Sequence, residues 1–91
     1  MSIHELKTDP QVFRDLKKGR KTFELRLNDR NYQTGDYLLL KETEHSSAEM
    51  KEGESLVFTS AYCLAQVTHI LNGPIYGLQD GWCIMSIKVK K

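Results

Sequence analysis

The sequence is poor in cysteine and proline, with two of each among 91 residues, and it has a single tryptophan. Two cysteines without a CxxC pair, and without histidines at metal-ligand spacing, do not indicate a zinc site. No stretch approaches the ~18 apolar residues of a membrane-spanning helix, and the first residues lack the basic start and apolar run of a signal peptide. We therefore expect a cytoplasmic domain without metal, cofactor or membrane contact.

The chain also lacks a strong net charge, which is +1, but its charges are unevenly distributed. Residues 1–30 contain eight lysines and arginines against five acids, whereas residues 36–54 contain two lysines against six acids. The basic part predicts either a polyanion-binding surface or ordinary solvated charge. The acidic loop at 42–54 is the natural contact for a protein partner.

The length predicts a single domain over residues 1–91. A strand at 2–7 is followed by a short helix that Asp9 caps, with Pro10 at its first position and Gly19 at its end. Further strands are predicted at 21–27, 37–42, 56–70 with a break near Thr59-Ser60, and 82–89. Residues 43–55 are predicted to be a mobile loop or a hairpin tip, and Lys90 and Lys91 a tail.

These elements, about five or six strands and one helix, predict an α+β fold in which a partly closed barrel has a helix covering one end. Cys63 and Cys83 each lie in an apolar, strand-like run, so buried free thiols are expected there. Gly35 and Asp36 are predicted to form a tight turn before the third strand.

The densest chemistry lies on the strand at 21–27 and the turn after it. Phe23, Leu25 and Leu27 alternate with polar residues, and a period of two predicts that these three form the core face. The opposite face then carries Glu24 and Arg26 as neighbours. An arginine fork and a carboxylate acceptor side by side could recognise a base edge, or they could form a structural salt bridge.

The chain as a whole resembles the ASCH domains of the PUA-like superfamily, above all the small stand-alone ASCH proteins of bacteria and phages, whose function is largely unassigned. The resemblance rests on His4-x-Leu6-Lys7, Gly19-x-Lys21-x-x-Glu24-x-Arg26, Asn28-Asp29-Arg30, Gly35-Asp36 and Gly81-Trp82-x-Ile84-Met85-Ser86-Ile87. It implies a small PUA-like β-barrel with a helix at its rim and a cleft that suits RNA or a modified nucleoside.

One branch of that family consists of amidohydrolases that act on N4-acetylcytidine. Lys21 matches the lysine of that branch, but the position of its threonine nucleophile is Glu24 here. The short connection between Thr68 and Trp82 leaves no room for the helix that brings the branch its later glutamate. We therefore assign no catalytic residue, and an enzymatic alternative would have to use Lys21 and Glu24.

The favoured function is nucleic-acid binding, with RNA as the preferred ligand. The alternatives are a small amidohydrolase that acts on a modified nucleoside and a protein-interaction module. Tyr76 is the aromatic candidate for stacking on a base, while Trp82 fits the core better. His4, His45 and His69 are weaker candidates, since a lone histidine is more often structural. The predicted RNA- or nucleoside-binding residues are Lys7, Arg20, Lys21, Glu24, Arg26, Asn28, Arg30 and Tyr76.

Overall fold

A computed structural model describes residues 1–90 of the chain. It contains five strands and two short helices in the order β1 (Ile3–Thr8), α1 (Pro10–Lys17), β2 (Phe23–Leu27), β3 (Tyr37–Thr43), α2 (Ser47–Lys51), β4 (Phe58–Asn72) and β5 (Trp82–Lys90). Within residues 1–90, neither helix has the length and the apolar character needed to cross a membrane.

All five strands join one sheet in the order β1-β3-β4-β5-β2, which curls into a half-barrel. β1 pairs with β3 in parallel, and the other neighbours are antiparallel. β1 and β2 are consequently the two edges of the sheet. The predicted α+β class and small barrel-like architecture are confirmed at this level.

The core fills the inside of the curl, where α1 covers it with Phe13 and Leu16. Its other members come from alternate positions of the strands: Leu6, Leu38, Leu40, Cys63, Ala65, Val67, Cys83, Met85 and Ile87, together with Tyr32. Both cysteines are buried free thiols, as predicted. Burial raises the pKa of each thiol.

The ends of α1 match the prediction, but the role of Asp9 does not. Pro10 occupies the first turn, and Gly19 ends the helix with a φ of +75°, which a residue without Cβ adopts at little cost. The Asp9 carboxylate does not cap α1. It accepts hydrogen bonds from the backbone N (3.1 Å) and the hydroxyl (2.8 Å) of Ser47, so it anchors α2 instead.

The predicted core face of β2 is wrong. Phe23, Leu25 and Leu27 are each about half exposed, whereas Glu24 is 2% exposed. The register explains the reversal, because Glu24 lies opposite Met85 of β5, whose side chain is in the core. The polar face of β2 therefore points into the half-barrel and its apolar face points outward.

The segment 43–55 also departs from its prediction, because it contains α2. Ser46 accepts a hydrogen bond from Glu49 N at 3.1 Å, and the Glu49 carboxylate accepts one from Ser46 N at 2.9 Å. This is a capping box, and the Ser-x-x-Glu spacing that specifies it was readable in the sequence. Thr43 is buried and belongs to β3 rather than to a loop.

The last two strands differ from their predicted bounds. β4 covers Phe58–Asn72, and the break predicted near Thr59-Ser60 lies inside it as an irregularity in the pairing with β3, which shifts between Lys41–Tyr62 and Thr43–Phe58, and as a left-handed residue, Ser60, with a φ of +79°. β5 continues through Lys90, so the predicted tail is wrong at that residue, and Lys91 lies outside the described residues. The predicted turn at Gly35-Asp36 is confirmed, with Gly35 at a φ of +97°.

Candidate functional site

A cleft of about 550 Å³ separates the two edges of the sheet. Leu6, Lys7 and Thr8 of β1 form one wall and residues 23–27 of β2 form the other. The rest of the lining comes from the segments that flank these strands, from α2 and from β5: Asp9, Val12, Lys21, Asp29, Arg30, Tyr32, Ser47 and Trp82. The cleft exists because the five-stranded sheet curls without closing.

A buried carboxylate between two cations lies in this cleft. Glu24 Oε1 is 2.6 Å from Lys21 Nζ, and Glu24 Oε2 is 2.9 Å from Arg26 Nε. The side chains of Lys21 and Arg26 keep 18% and 27% of their surface exposed, against 3% for Glu24. Lys21 and Arg26 thus neutralise the buried Glu24 carboxylate from the solvent side, and both remain accessible to a ligand in the cleft.

Arginine side chains bridge the gap between the two edges of the sheet. Arg26 donates to the carbonyl of Lys7 at 2.8 Å, and Arg30 donates to the carbonyl of Glu5 at 3.0 Å. Because both carbonyls belong to the outer edge of β1, these contacts occupy part of the hydrogen-bonding capacity that an edge strand leaves open. They tie β1 to β2 and the following turn without closing the sheet.

The edge of β2 presents backbone groups to the cleft. Ile87 N donates to Thr22 O, and Asn28 N donates to Gly81 O. Since hydrogen-bonded pairs recur at every second residue of an antiparallel ladder, Glu24 and Arg26 direct their backbone groups toward β5. Phe23 and Leu25 direct theirs into the cleft, where they are available to a ligand.

Residues 3–87 match a family model described as a domain of unknown function (DUF3850). The chain belongs to this family. A comparison with curated proteins finds no match. The match to the DUF3850 family therefore does not indicate an activity.

Within this DUF3850 domain, five of the eight predicted ligand residues line the cleft: Lys7, Lys21, Glu24, Arg26 and Arg30. The other three lie outside its lining. Arg20 is exposed and 3.7 Å from Asp15, and Tyr76 is 94% exposed in the loop between β4 and β5. Asn28 organises the turn after β2, where it bonds the Asn72 side chain and accepts from Tyr32 N.

The cleft lining also contains residues that were not among the predicted ligands, among them Tyr32, Trp82 and Thr8. Tyr32 is 4% exposed, and burial raises the pKa of its hydroxyl against the opposing effect of Arg26 and Arg30. Trp82, predicted as core, is half-buried in the lining. The Thr8 hydroxyl is buried and has no hydrogen-bond partner among the described residues. No local sequence signal marks these positions, because the curl of the sheet creates their proximity.

His4 and Asp36 form a second polar cluster, with a structural role. Asp36 accepts from His4 Nε2 at 2.9 Å, from Ser2 N at 3.1 Å and from Gln33 N at 3.0 Å. Burial acts to raise the pKa of Asp36, but these hydrogen bonds outweigh it and hold the pKa below its usual value. The His4 ring also meets Tyr32 edge-on at 4.8 Å, so the cluster supports the base of the cleft.

The described residues contain no group of three or more histidine, cysteine or acidic side chains placed to hold a metal ion. Several acids of the 42–54 segment, among them Glu44, Glu49, Glu52 and Glu54, are exposed.

Proposed function

We propose that the domain binds nucleic acid, RNA in the first place, and that it is an ASCH domain of the PUA-like superfamily. In this proposal one base enters the cleft between β1 and β2. The observation that carries it is the buried Glu24 carboxylate between Lys21 and Arg26, at the wall of an open cleft. A carboxylate and a guanidinium side by side match the donors and acceptors of a base edge.

The charged cluster retains hydrogen-bonding capacity beyond its internal contacts. A carboxylate offers about four acceptor positions, and Lys21 and Arg26 occupy one on each oxygen of Glu24. Arg26 carries about five N–H donors, of which Nε and one terminal nitrogen have partners. Glu24 can therefore accept from an exocyclic amine while Arg26 donates to a neighbouring ring nitrogen or carbonyl.

The remaining walls suit a flat, partly polar ligand. Trp82, which is half-buried in the lining, contributes aromatic surface, on which bases stack. Phe23 and Leu25 add unpaired backbone groups, and the cleft volume lies in the range of small-molecule sites. Lys7 and Arg30 at the rim provide positive charge for a phosphate.

The test is a titration with fluorescein-labelled 12-nucleotide RNA of random sequence, single-stranded or in a hairpin, at 50 and 200 mM salt. Binding is followed by anisotropy and by the emission of Trp82, the only tryptophan, which reports on the cleft itself. We expect salt-sensitive binding, because phosphate contacts release counterions. Arg26→Ala should weaken it at least tenfold, since a good bidentate contact contributes about 1–3 kcal/mol.

Arg14→Ala is the matched control, because Arg14 is an exposed arginine that does not line the cleft. It should bind like the wild type. Circular dichroism and thermal melting must show that Arg26→Ala is folded, since Arg26 also bridges to β1. Absence of binding to every RNA at 50 mM salt would refute the proposal and favour a protein partner at the exposed acids of 42–54.

A second candidate function, hydrolysis of a modified nucleoside such as N4-acetylcytidine, is favoured by the 2.6 Å contact between Lys21 Nζ and Glu24 Oε1 in the cleft. A lysine beside a carboxylate can polarise a carbonyl while the carboxylate activates water. The assay is acetate release from N4-acetylcytidine at high enzyme concentration, with Glu24→Gln as the inactive comparison. Turnover that survives in Glu24→Gln would rule out this mechanism.

A further inference from the structure

A second groove, lined by lysines, adjoins the cleft. It has a volume of about 290 Å³ and lies between the end of α1 and the end of β5. Lys17, Lys18, Lys21 and Lys88 line it, and its described lining contains no acidic residue. Leu16 and Ile87, both core residues, form its floor. The charge of this groove is therefore of one sign, unlike that of the cleft, where acids and bases alternate.

Three of the four lysines are available to a ligand. Lys17, Lys18 and Lys88 are exposed, and no carboxylate among the described residues lies within 4.0 Å of their amines. Lys17 rests 5.9 Å above the Phe13 ring, which does not neutralise it. Grouping like charges at one groove costs electrostatic energy, and an anion that binds there recovers it.

Lys21 connects the groove to the cleft, because it belongs to the lining of both. Its amine contacts Glu24 on the cleft side and keeps two N–H donors beyond that bond. A ligand that leaves the cleft past Lys21 therefore enters the lysine groove directly.

We propose that the lysine groove binds the backbone phosphates of the nucleotides that flank the base in the cleft. The bound single strand then runs from the cleft over Lys21 into the groove. Lysine suits this role, since its flexible stem and compact charge contact phosphate without demanding a fixed geometry. This proposal rests on the proposed nucleic-acid binding. It adds that the strand leaves the cleft on the side of Lys21 and that the RNA must contain nucleotides beyond the one in the cleft.

The experiment compares Lys18→Gln/Lys88→Gln with the control Arg14→Gln/Lys51→Gln. Each double variant removes two exposed positive charges, but only the first removes them from the groove. Lys17 is retained in both because of its contact with Phe13. The probes are fluorescein-labelled random-sequence RNA 12-mers, titrated between 50 and 200 mM salt, and the four unlabelled nucleoside monophosphates, followed by Trp82 emission.

We expect the groove variant to reduce the slope of log affinity against log salt by about 1.4, since each single-strand phosphate contact contributes about 0.7. The ratio of the wild-type affinity to the affinity of the groove variant should therefore fall about sevenfold between 50 and 200 mM salt. The control should retain the wild-type slope, and monophosphates should affect Trp82 equally in all three proteins, because the cleft is unchanged.

The outcomes separate the two proposals. The slope of log affinity against log salt decides the role of the groove. If this slope is the same for all three proteins, or if it falls equally in both double variants, the lysine groove is not a phosphate site, while cleft binding stands. If no RNA and no monophosphate binds the wild type at 50 mM salt, nucleic-acid binding fails, and the groove proposal fails with it. Equal melting temperatures of the two double variants exclude unfolding as the cause of a difference.

Discussion

Replacing Glu24 by glutamine should destabilise the domain strongly although the two side chains have the same shape. Glutamine removes the negative charge and places an amide donor against the donors of Lys21 or Arg26. Loss of one partner from a buried charge pair costs about 3–5 kcal/mol. Because Lys21 and Arg26 keep 18% and 27% of their side chains exposed, water compensates part of this cost, and we expect about 2–3 kcal/mol.

For a domain of this size, about 1 kcal/mol shifts the melting temperature by roughly 4–8 °C, so the expected fall is about 10–20 °C. Guanidinium unfolding followed by Trp82 emission and circular dichroism measures the free energy of unfolding. Glu5→Gln is the control, because Glu5 is an exposed β1 residue 3.3 Å from Lys41. It should cost under about 0.5 kcal/mol.

A triple variant distinguishes uncompensated charge from loss of shape. In Lys21→Met/Glu24→Leu/Arg26→Met no buried charge is left without a partner, so stability should return to within about 1 kcal/mol of the wild type. The remaining deficit reflects the lost hydrogen bond from Arg26 to the Lys7 carbonyl. If Glu24→Gln is as stable as the wild type, or if the triple variant is as unstable as Glu24→Gln, the electrostatic reasoning is refuted.

Two further predictions concern groups outside the cleft. The pKa of Asp36 is lowered in the folded state, so its charge stabilises the fold above the unfolded pKa of about 3.9 and this contribution disappears as pH falls through the folded pKa. Acid titration of stability should therefore be flatter below pH ~4 in Asp36→Asn than in the wild type; parallel curves would exclude the linkage. Cys63 and Cys83 are buried with raised thiol pKa values, so both should resist a thiol reagent in the native protein and react only on unfolding; fast native labelling would contradict their burial.

Much of the fold could be predicted because its signals are local. Pro10 and Gly19 mark the ends of α1 through φ preferences that act within a few residues. The alternation of β5 places Cys83, Met85 and Ile87 on one face, and all three are in the core. The capping box of Ser46 and Glu49 is equally local, so the Ser-x-x-Glu spacing is itself a signal for the start of α2.

The face of β2 could not be predicted from alternation alone. Periodicity showed that Phe23, Leu25 and Leu27 share a face, and hydrophobicity assigned that face to the core. Pairing with β5 decided otherwise, because Glu24 lies opposite Met85, inside the half-barrel. A buried carboxylate is tolerated at that position only because Lys21 and Arg26 neutralise it.

The sequence by itself determined the local features: the charged strand around Glu24, the excess of basic residues in the first third and the turn residues that separate the elements. Only the tertiary structure decided that β1 and β2 are the two sheet edges and face each other across an open cleft. Tyr32, Thr8 and Trp82 enter the site for the same reason. Spacing along the chain fixes local conformation, whereas contacts between distant residues, such as Arg26 with the Lys7 carbonyl, depend on how the whole sheet curls.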